Sequence, residues 1–250
     1  AASDVYKRQK TIRVDACGLQ CPGPILKMKK TMDGLASGER VEITATDPGF
    51  PRDAAAWCSS TGNQLISKEA SGGKSVVIIE KGEPKACNIV TSCEGKGKTF
   101  IMFSDDLDKA LATFVLANGA AATGQKVTIF FTFWGLNVIK KLHKPETEKD
   151  IFGKMFGMML PSSSKKLKLS KMSMGGIGGK MMRYIMNKKG IDSLESLRQQ
   201  ALENGVEFIA CQMSMDVMGV KQEELLDEVT VGGVATYMER ADNANVNLFI

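Results

Sequence analysis

Thr11 to Ala16 (TIRVDA) alternates apolar and polar residues as a half-buried strand does, and Pro24 to Met32 (PILKMKKTM) changes to a helical pattern with Gly34 beyond its end. Arg40 to Asp47 alternates again and predicts a second strand, Pro51 to Thr61 a second helix closed by Gly62. QLISKEA and SVVIIE, joined by Ser71-Gly72-Gly73-Lys74, read as a hairpin ending at Gly82. The order β-α-β-α-β-β predicts a two-layer sandwich, two helices on one mixed sheet.

After Gly82 the periodicity lapses. Residues 83–97 are rich in Gly, Lys, Glu, Ser and Cys and read as a linker. Longer alternations follow. KTFIMFS predicts a buried strand, Asp106 to Ala122 a helix ended by Gly124, Lys126 to Phe133 a strand and Leu136 to Leu142 a short helix. A basic, Met-rich connection leads to a helix near Lys180 to Lys189. Asp192 reads as the carboxylate N-cap of the next helix, which Gly205 ends. VEFIAC is then a strand, with helices near Gln222 to Glu228 and Gly233 to Arg240, and NVNLFI closes as a strand. This alternation predicts an open, mostly parallel sheet with helices on both faces. The fold class is therefore α/β throughout, a small sandwich over 11–82 and an open sheet over 98–250.

Residues 1–10 are set aside, because SDVYKRQ (Ser3 to Gln9) resembles a translated sequencing adapter and not a folded element. On that reading a natural N-terminus lies elsewhere, and a missing signal peptide carries no information. The longest apolar run, Val127 to Ile139, is too short to span a bilayer. Six cysteines in 250 residues, without regular spacing, do not make a disulfide scaffold and point to reduced thiols in the cytoplasm.

Charge is uneven. Val138 to Gly190 holds 13 Lys or Arg against 3 acidic residues, and Ile191 to Ile250 holds 3 against 11. Such a basic stretch suits RNA or an acidic partner, but only Phe152, Phe156 and Tyr184 fall among its lysines, too few for the regular interleaving that a stacking surface needs. The plainer reading is docking of a basic segment on an acidic face of the same fold or of another copy, and nucleic acid is not expected. Met155, Met158, Met159, Met172, Met174, Met181 and Met182 suit an apolar channel, a core or a subunit interface. The run from Lys144 to Gly179 is too apolar to stay solvated, so a homo-oligomer is expected. GGIGG (Gly175 to Gly179) follows no strand and carries no Gly-Lys-Ser/Thr; it reads as a hinge or a close helix approach rather than a phosphate loop.

The chemistry concentrates in DACGLQCPGP (Asp15 to Pro24). Cys17 and Cys21 are candidates for a disulfide, half a metal site, or a reactive thiol with a neighbour. Cys21 precedes Pro22, Gly23 and Pro24 at the mouth of a predicted helix, where unpaired N–H groups and the helix dipole favour a thiolate. Such sites lower a cysteine pKa from about 8.5 to roughly 3.5–7.5, and Lys27, Lys29 and Lys30 add positive field. Cys17 either resolves a species on Cys21 or is a strand-end thiol that does little. Cys58 reads as core. Cys87 and Cys93 fall in the linker; with Cys17 and Cys21 they lack the paired spacing of a zinc site, and the lone His143 sits among lysines, so neither metal nor cofactor is expected. No flavin or nucleotide fingerprint is visible.

DACGLQCPGPILKMKK resembles the signature of the TusA family of small sulfur carriers, over residues 11–82. The resemblance implies that Cys21 carries a persulfide and passes sulfane sulfur between protein thiols, with donors and acceptors of the rhodanese or cysteine desulfurase type. Residues 98–250 resemble the DsrE-type sulfurtransferases through TFIMFSDDLDKA, IFFTFWGLN, KMSMGGIGGKMM and ACQMSMDVMG. Cys211 ends a predicted parallel strand, the edge at which open α/β sheets place their sites, and is expected to be the second acceptor; the plain alternative is a packed small residue. Similar pairs occur at the end of larger flavin-dependent disulfide reductases with a rhodanese domain, which the chain is expected to continue. Two rivals remain: a thiol-disulfide redox protein cycling Cys17 and Cys21, and the basic RNA or acidic-partner module.

Overall fold

The computed structural model describes residues 11–19, 22–83, 97–143, 145, 155, 157 and 159–250, without the side chains of 56, 59 and 60. The chain falls into two compact units.

In the first unit, β1 (Thr11–Ala16) pairs in parallel with β2 (Arg40–Ala45). The strands β3 (Gln64–Ser71) and β4 (Lys74–Glu80) complete a mixed sheet in the order β1-β2-β4-β3. The helices are α1 (Gly23–Asp33) and α2 (Phe50–Thr61). Val41, Ile43 and Ala45 of β2 and Val77 and Ile79 of β4 alternate inward and meet Ile25, Met28 and Met32 of α1 and Phe50, Ala54 and Trp57 of α2. Period-two strands over helical stripes thus give a two-layer sandwich, as the pattern predicts. Gly72 and Gly73 turn the hairpin with φ of +59° and +75°, the left-handed pair that a tight hairpin turn demands.

The second unit is a five-stranded sheet of β5 (Gly97–Met102), β6 (Val127–Phe131), β7 (Glu207–Cys211), β8 (Thr230–Gly232) and β9 (Ala244–Phe249). Every pairing in the order β8-β7-β6-β5-β9 is parallel. Its helices are α3 (Leu107–Ala122), α4 (Ile177–Lys188), α5 (Leu194–Glu203), α6 (Gln212–Met218) and α7 (Val234–Asp242). All five residues of β6 are buried, as a strand covered on both faces requires. Ile129, Phe131, Phe208 and Ala210 join a large core with Phe114 of α3 and Leu194 and Leu197 of α5. The intervening Phe130, Ile209 and Cys211 face a smaller cluster closed by Tyr237 of α7. The rings of Phe114, Phe131 and Phe208 lie 5.3–6.4 Å apart; burial contributes roughly 1.5–3 kcal/mol for each.

Two expected helices are absent, for one shared reason. Leu136 to Leu142 is replaced by a 3-10 run over Phe133–Ile139, and Gln222 to Glu228 by a single 3-10 turn over Gln222–Glu224. The two segments pair with each other: Lys140 bridges Leu225, Lys141 N–H donates to Glu224 O at 2.9 Å and Leu226 N–H to Ile139 O at 3.1 Å. The buried Arg198 takes the Val138 carbonyl at 2.6 Å, which an α-helix would have used internally. The N-cap of α5 is Ser193, whose hydroxyl accepts from Ser196 N–H at 3.1 Å, in place of the expected Asp192. Asp192 instead accepts from Gln200 Nε2 at 3.0 Å. In GGIGG a Cβ on Gly178 would stand 2.1 Å from the Met172 carbonyl, so close backbone approach fixes that glycine.

The turn after β6 holds the site edge in place. Gly135 N–H donates to Phe103 O at 2.8 Å, and a Cβ there would lie 1.9 Å from Met102 O. Gly135→Ala is expected to lower the stability of this unit by about 1–3 kcal/mol or more. Gly119→Ala, inside α3 with nothing within 4 Å of its Cβ, is expected to be neutral or to add up to about 1 kcal/mol. Urea unfolding of the two variants checks the contrast.

Candidate functional site

Cys17 lies just past β1, in a turn closed by Leu19 N–H to Ala16 O at 3.3 Å with Gly18 at φ +80°. Two side chains fix that turn. Asp15 Oδ1 accepts from Cys17 N–H and Thr46 Oγ1 accepts from Gly18 N–H, both at 2.8 Å. Lys27 Nζ of α1 donates to the Asp15 carbonyl at 2.7 Å, tying the helix to the strand end. Cys21 lies outside the described residues; Pro22, next in sequence, is the N-cap of α1, with a second proline in its first turn.

Asp15 also sets the protonation of Cys17. The carboxylate is hydrogen-bonded to the thiol and negatively charged beside it, and together with desolvation it pushes the thiol above its ordinary value. The same hydrogen bonds from the Cys17 thiol and amide hold Asp15 below the usual carboxylate range. Half-buried Cys17 is thus a weaker nucleophile near neutrality than an unperturbed thiol. Cys58 is a core residue, as expected: it is buried, and burial pushes its thiol up to about 11.

Cys211 stands at the C-terminal end of β7, paired in register with Gly232 of β8. It is 6% exposed and packs with Phe130, Ile209 and Tyr237. Next to it in the sheet, Thr132 follows β6, and its hydroxyl meets Ser214 Oγ of α6 at 2.8 Å. A hollow of about 520 Å³ lies along α6, lined by Gln212, Met215, Asp216 and Lys221 among others, and Cys211 does not line it. Cys17, Cys58 and Cys211 are free thiols.

Sequence reasoning passed over Asp105, just beyond β5 at the same sheet edge. Its carboxylate accepts from the buried Asn137 Nδ2 at 2.9 Å, and burial pushes its pKa up. The signal was present in Ser104-Asp105-Asp106, an acidic pair directly after a buried strand. Cys87 and Cys93 lie outside the described residues, and His143 is exposed. Among the described residues no group of three or more His, Cys, Asp or Glu is placed to hold a metal, and no helix is long and apolar enough to cross a membrane. Of the methionine run, Met155, Met159, Met172, Met174 and Met181 are exposed, Met182 packs at the margin of the large core, and Met158 lies outside the described residues.

An α/β chain in two units, each with a cysteine at a parallel-strand end, is the class of protein that the fold defines. Residues 95–249 match the DsrE/DsrF/DrsH-like family and residues 12–81 match sulfurtransferase TusA. The chain belongs to the DsrE/DsrF/DrsH-like family and carries a TusA domain ahead of that region. The uncharacterized protein YrkE of Bacillus subtilis is 44% identical over 155 residues, 62% of this chain and 97% of its own length. Sulfur carrier protein DsrE2 of Allochromatium vinosum is 37% identical over 161 residues, 63% of this chain and 99% of its own. Sulfur carrier protein TusA of the same organism is 44% identical over 68 residues, 27% of this chain and 90% of its own.

The Asp15 contact generates a test. In Asp15→Asn the charge beside Cys17 is gone, so the thiol ionises at lower pH. The pH–rate profile for alkylation of Cys17, read by peptide mass spectrometry, should move to lower pH with a severalfold faster rate near neutrality. An unmoved profile would show that Asp15 does not control the thiol.

Proposed function

We propose that this chain is a sulfur relay, carrying sulfane sulfur as a persulfide on Cys21 and handing it to Cys211. The observation that carries the reading is the match of one chain to two families, with separate relatives named as sulfur carriers on each side. In the transfer a Cys211 thiolate attacks the outer sulfur of the Cys21 persulfide. A new S–S bond forms at Cys211, the old one breaks, and Cys21 leaves as thiolate; no external oxidant or reductant is needed.

Cys17 fits a supporting part. The Asp15 carboxylate raises its pKa, so Cys17 competes less well for the persulfide than an unperturbed thiol would, which supports the relay over a dithiol cycle with Cys21. Domains over 11–82 and 98–250, tethered by residues 83–97, suit an intramolecular step. Joining both domains in one chain raises the effective concentration of one thiol near the other. The partners of such a relay are donor and acceptor proteins of the rhodanese or cysteine desulfurase type, working in a reducing cytoplasm. Exposed Met172, Met174, Ile177 and Met181 supply an apolar surface for such a partner or for another copy.

A protein donor that loads the carrier domain should label Cys211 with sulfur in the intact chain. Cys21→Ser should abolish that label, and cutting the linker should make transfer depend on concentration. Equal labelling of Cys211 in Cys21→Ser would leave two independent sulfur-binding domains and no relay.

A further inference from the structure

α4 carries two apolar stripes where a surface helix needs one. Gly178 and Met186 are buried, and Met182, midway between them, packs at the margin of the large core. Beside that stripe Ile177, Met181, Tyr184 and Ile185, at i, i+4, i+7 and i+8, stand 39–68% exposed. One stripe anchors the helix, and the other is open to solvent.

The surroundings of the open stripe are basic. Residues 151–191 hold nine Lys or Arg and no acidic residue. The segment 167–172 runs along the start of α4, where a Cβ on Gly178 would collide with the Met172 carbonyl and one on Gly179 would stand 3.3 Å from that of Leu167. Exposed Lys168, Lys171 and Lys180 therefore stand around the start of the stripe, and exposed Met172 extends it.

A counterpart exists on the same chain. α6 exposes Met213 and Val217, one turn apart and 54% and 56% exposed, and beside them Gln212 and Asp216, likewise one turn apart. Residues 212–228 hold five acidic residues against the single Lys221. The hollow of about 520 Å³ adjoins this face, with Asp216 and Glu223 in its lining beside Lys221. α7 also exposes Val234 and Met238, but its Glu239 is already paired with Arg240 at 3.1 Å.

We propose that the α4 stripe of one copy docks on the α6 face of a second copy, its apolar residues against Met213 and Val217 and its lysines toward Asp216 and Glu223. Charge complementarity selects this occupant. A basic amphipathic helix also suits an anionic lipid surface, but lipid would leave the apolar face of α6, set among carboxylates, open to water. Contact between copies covers both patches at once. Because the two patches differ, the contact is made twice in a two-fold dimer or once per subunit in a ring. α6 begins at Cys211, its N-cap, so the contact borders the candidate acceptor, and it holds whether or not Cys211 takes up sulfur.

Sedimentation velocity of the full chain and of two double variants tests the contact. Met181→Glu with Tyr184→Glu spoils the α4 stripe, and Met213→Lys with Val217→Lys spoils the α6 face; all four side chains are about half exposed or more, so the fold is retained. The wild type should sediment as a dimer or ring at micromolar concentration, and each double variant alone as a monomer, a loss of about tenfold or more in association. Mixed in equal amounts, the two should associate again, because each supplies the patch that the other lacks. Lys180→Glu and Asp216→Lys, which each reverse one exposed charge, should weaken association severalfold singly and recover it on mixing. A monomeric wild type, an assembly that survives both double variants, or variants of both kinds that stay apart when mixed would each overturn the contact. Binding of a monomeric wild type to vesicles of phosphatidylserine and phosphatidylcholine, lost in Met181→Glu with Tyr184→Glu, would also overturn it and assign the stripe to lipid.

Discussion

Parallel strand pairing is the constraint on which both candidate thiols depend. A parallel strand must leave the sheet at its C-terminal end and cross back before the next begins, so the turns that follow gather at one edge. β1 leaves Cys17 at such an edge beside Thr46, and β7 leaves Cys211 at another beside Gly232. At each place the neighbours set the environment of the sulfur: the Asp15 carboxylate raises the pKa of Cys17, and Cys211 is buried in a cluster with Phe130, Ile209 and Tyr237.

This division between sheet and neighbours explains what the sequence made legible. Strand and helix periods placed β1 to β4, α1 and α2 closely, because in a small sandwich each apolar residue has one face to bury. The buried run of β6 and the Gly205 stop of α5 were equally plain. The segments 133–139 and 222–228 misled because their backbones bond to each other and to Arg198 across a long sequence separation, and no local propensity carries that information. β8 has three residues and α6 seven, too short for a period to register.

The site was legible as chemistry and illegible as environment. CPGP singles out Cys21 as a candidate nucleophile, and the strand end singles out Cys211 as a candidate acceptor. The carboxylate beside Cys17 sits only two residues away, yet its effect depends on a turn that brings the side chain onto the Cys17 amide. Tyr237 lies far from Cys211 in sequence and joins its cluster only because α7 folds onto the sheet face opposite the large core. Asp105 is indistinguishable from Asp106 in the sequence, and only burial and the Asn137 contact set it apart.

The central claim is that Cys21 bears sulfane sulfur, and mass spectrometry of the wild-type chain after treatment with a sulfane-sulfur donor tests it most directly. A sulfur carrier should become heavier by one sulfur atom, located on the Cys21 peptide and released by a thiol reductant. A chain that gains no sulfur and instead loses two hydrogens, with Cys17 joined to Cys21, would contradict the claim and establish a dithiol redox protein.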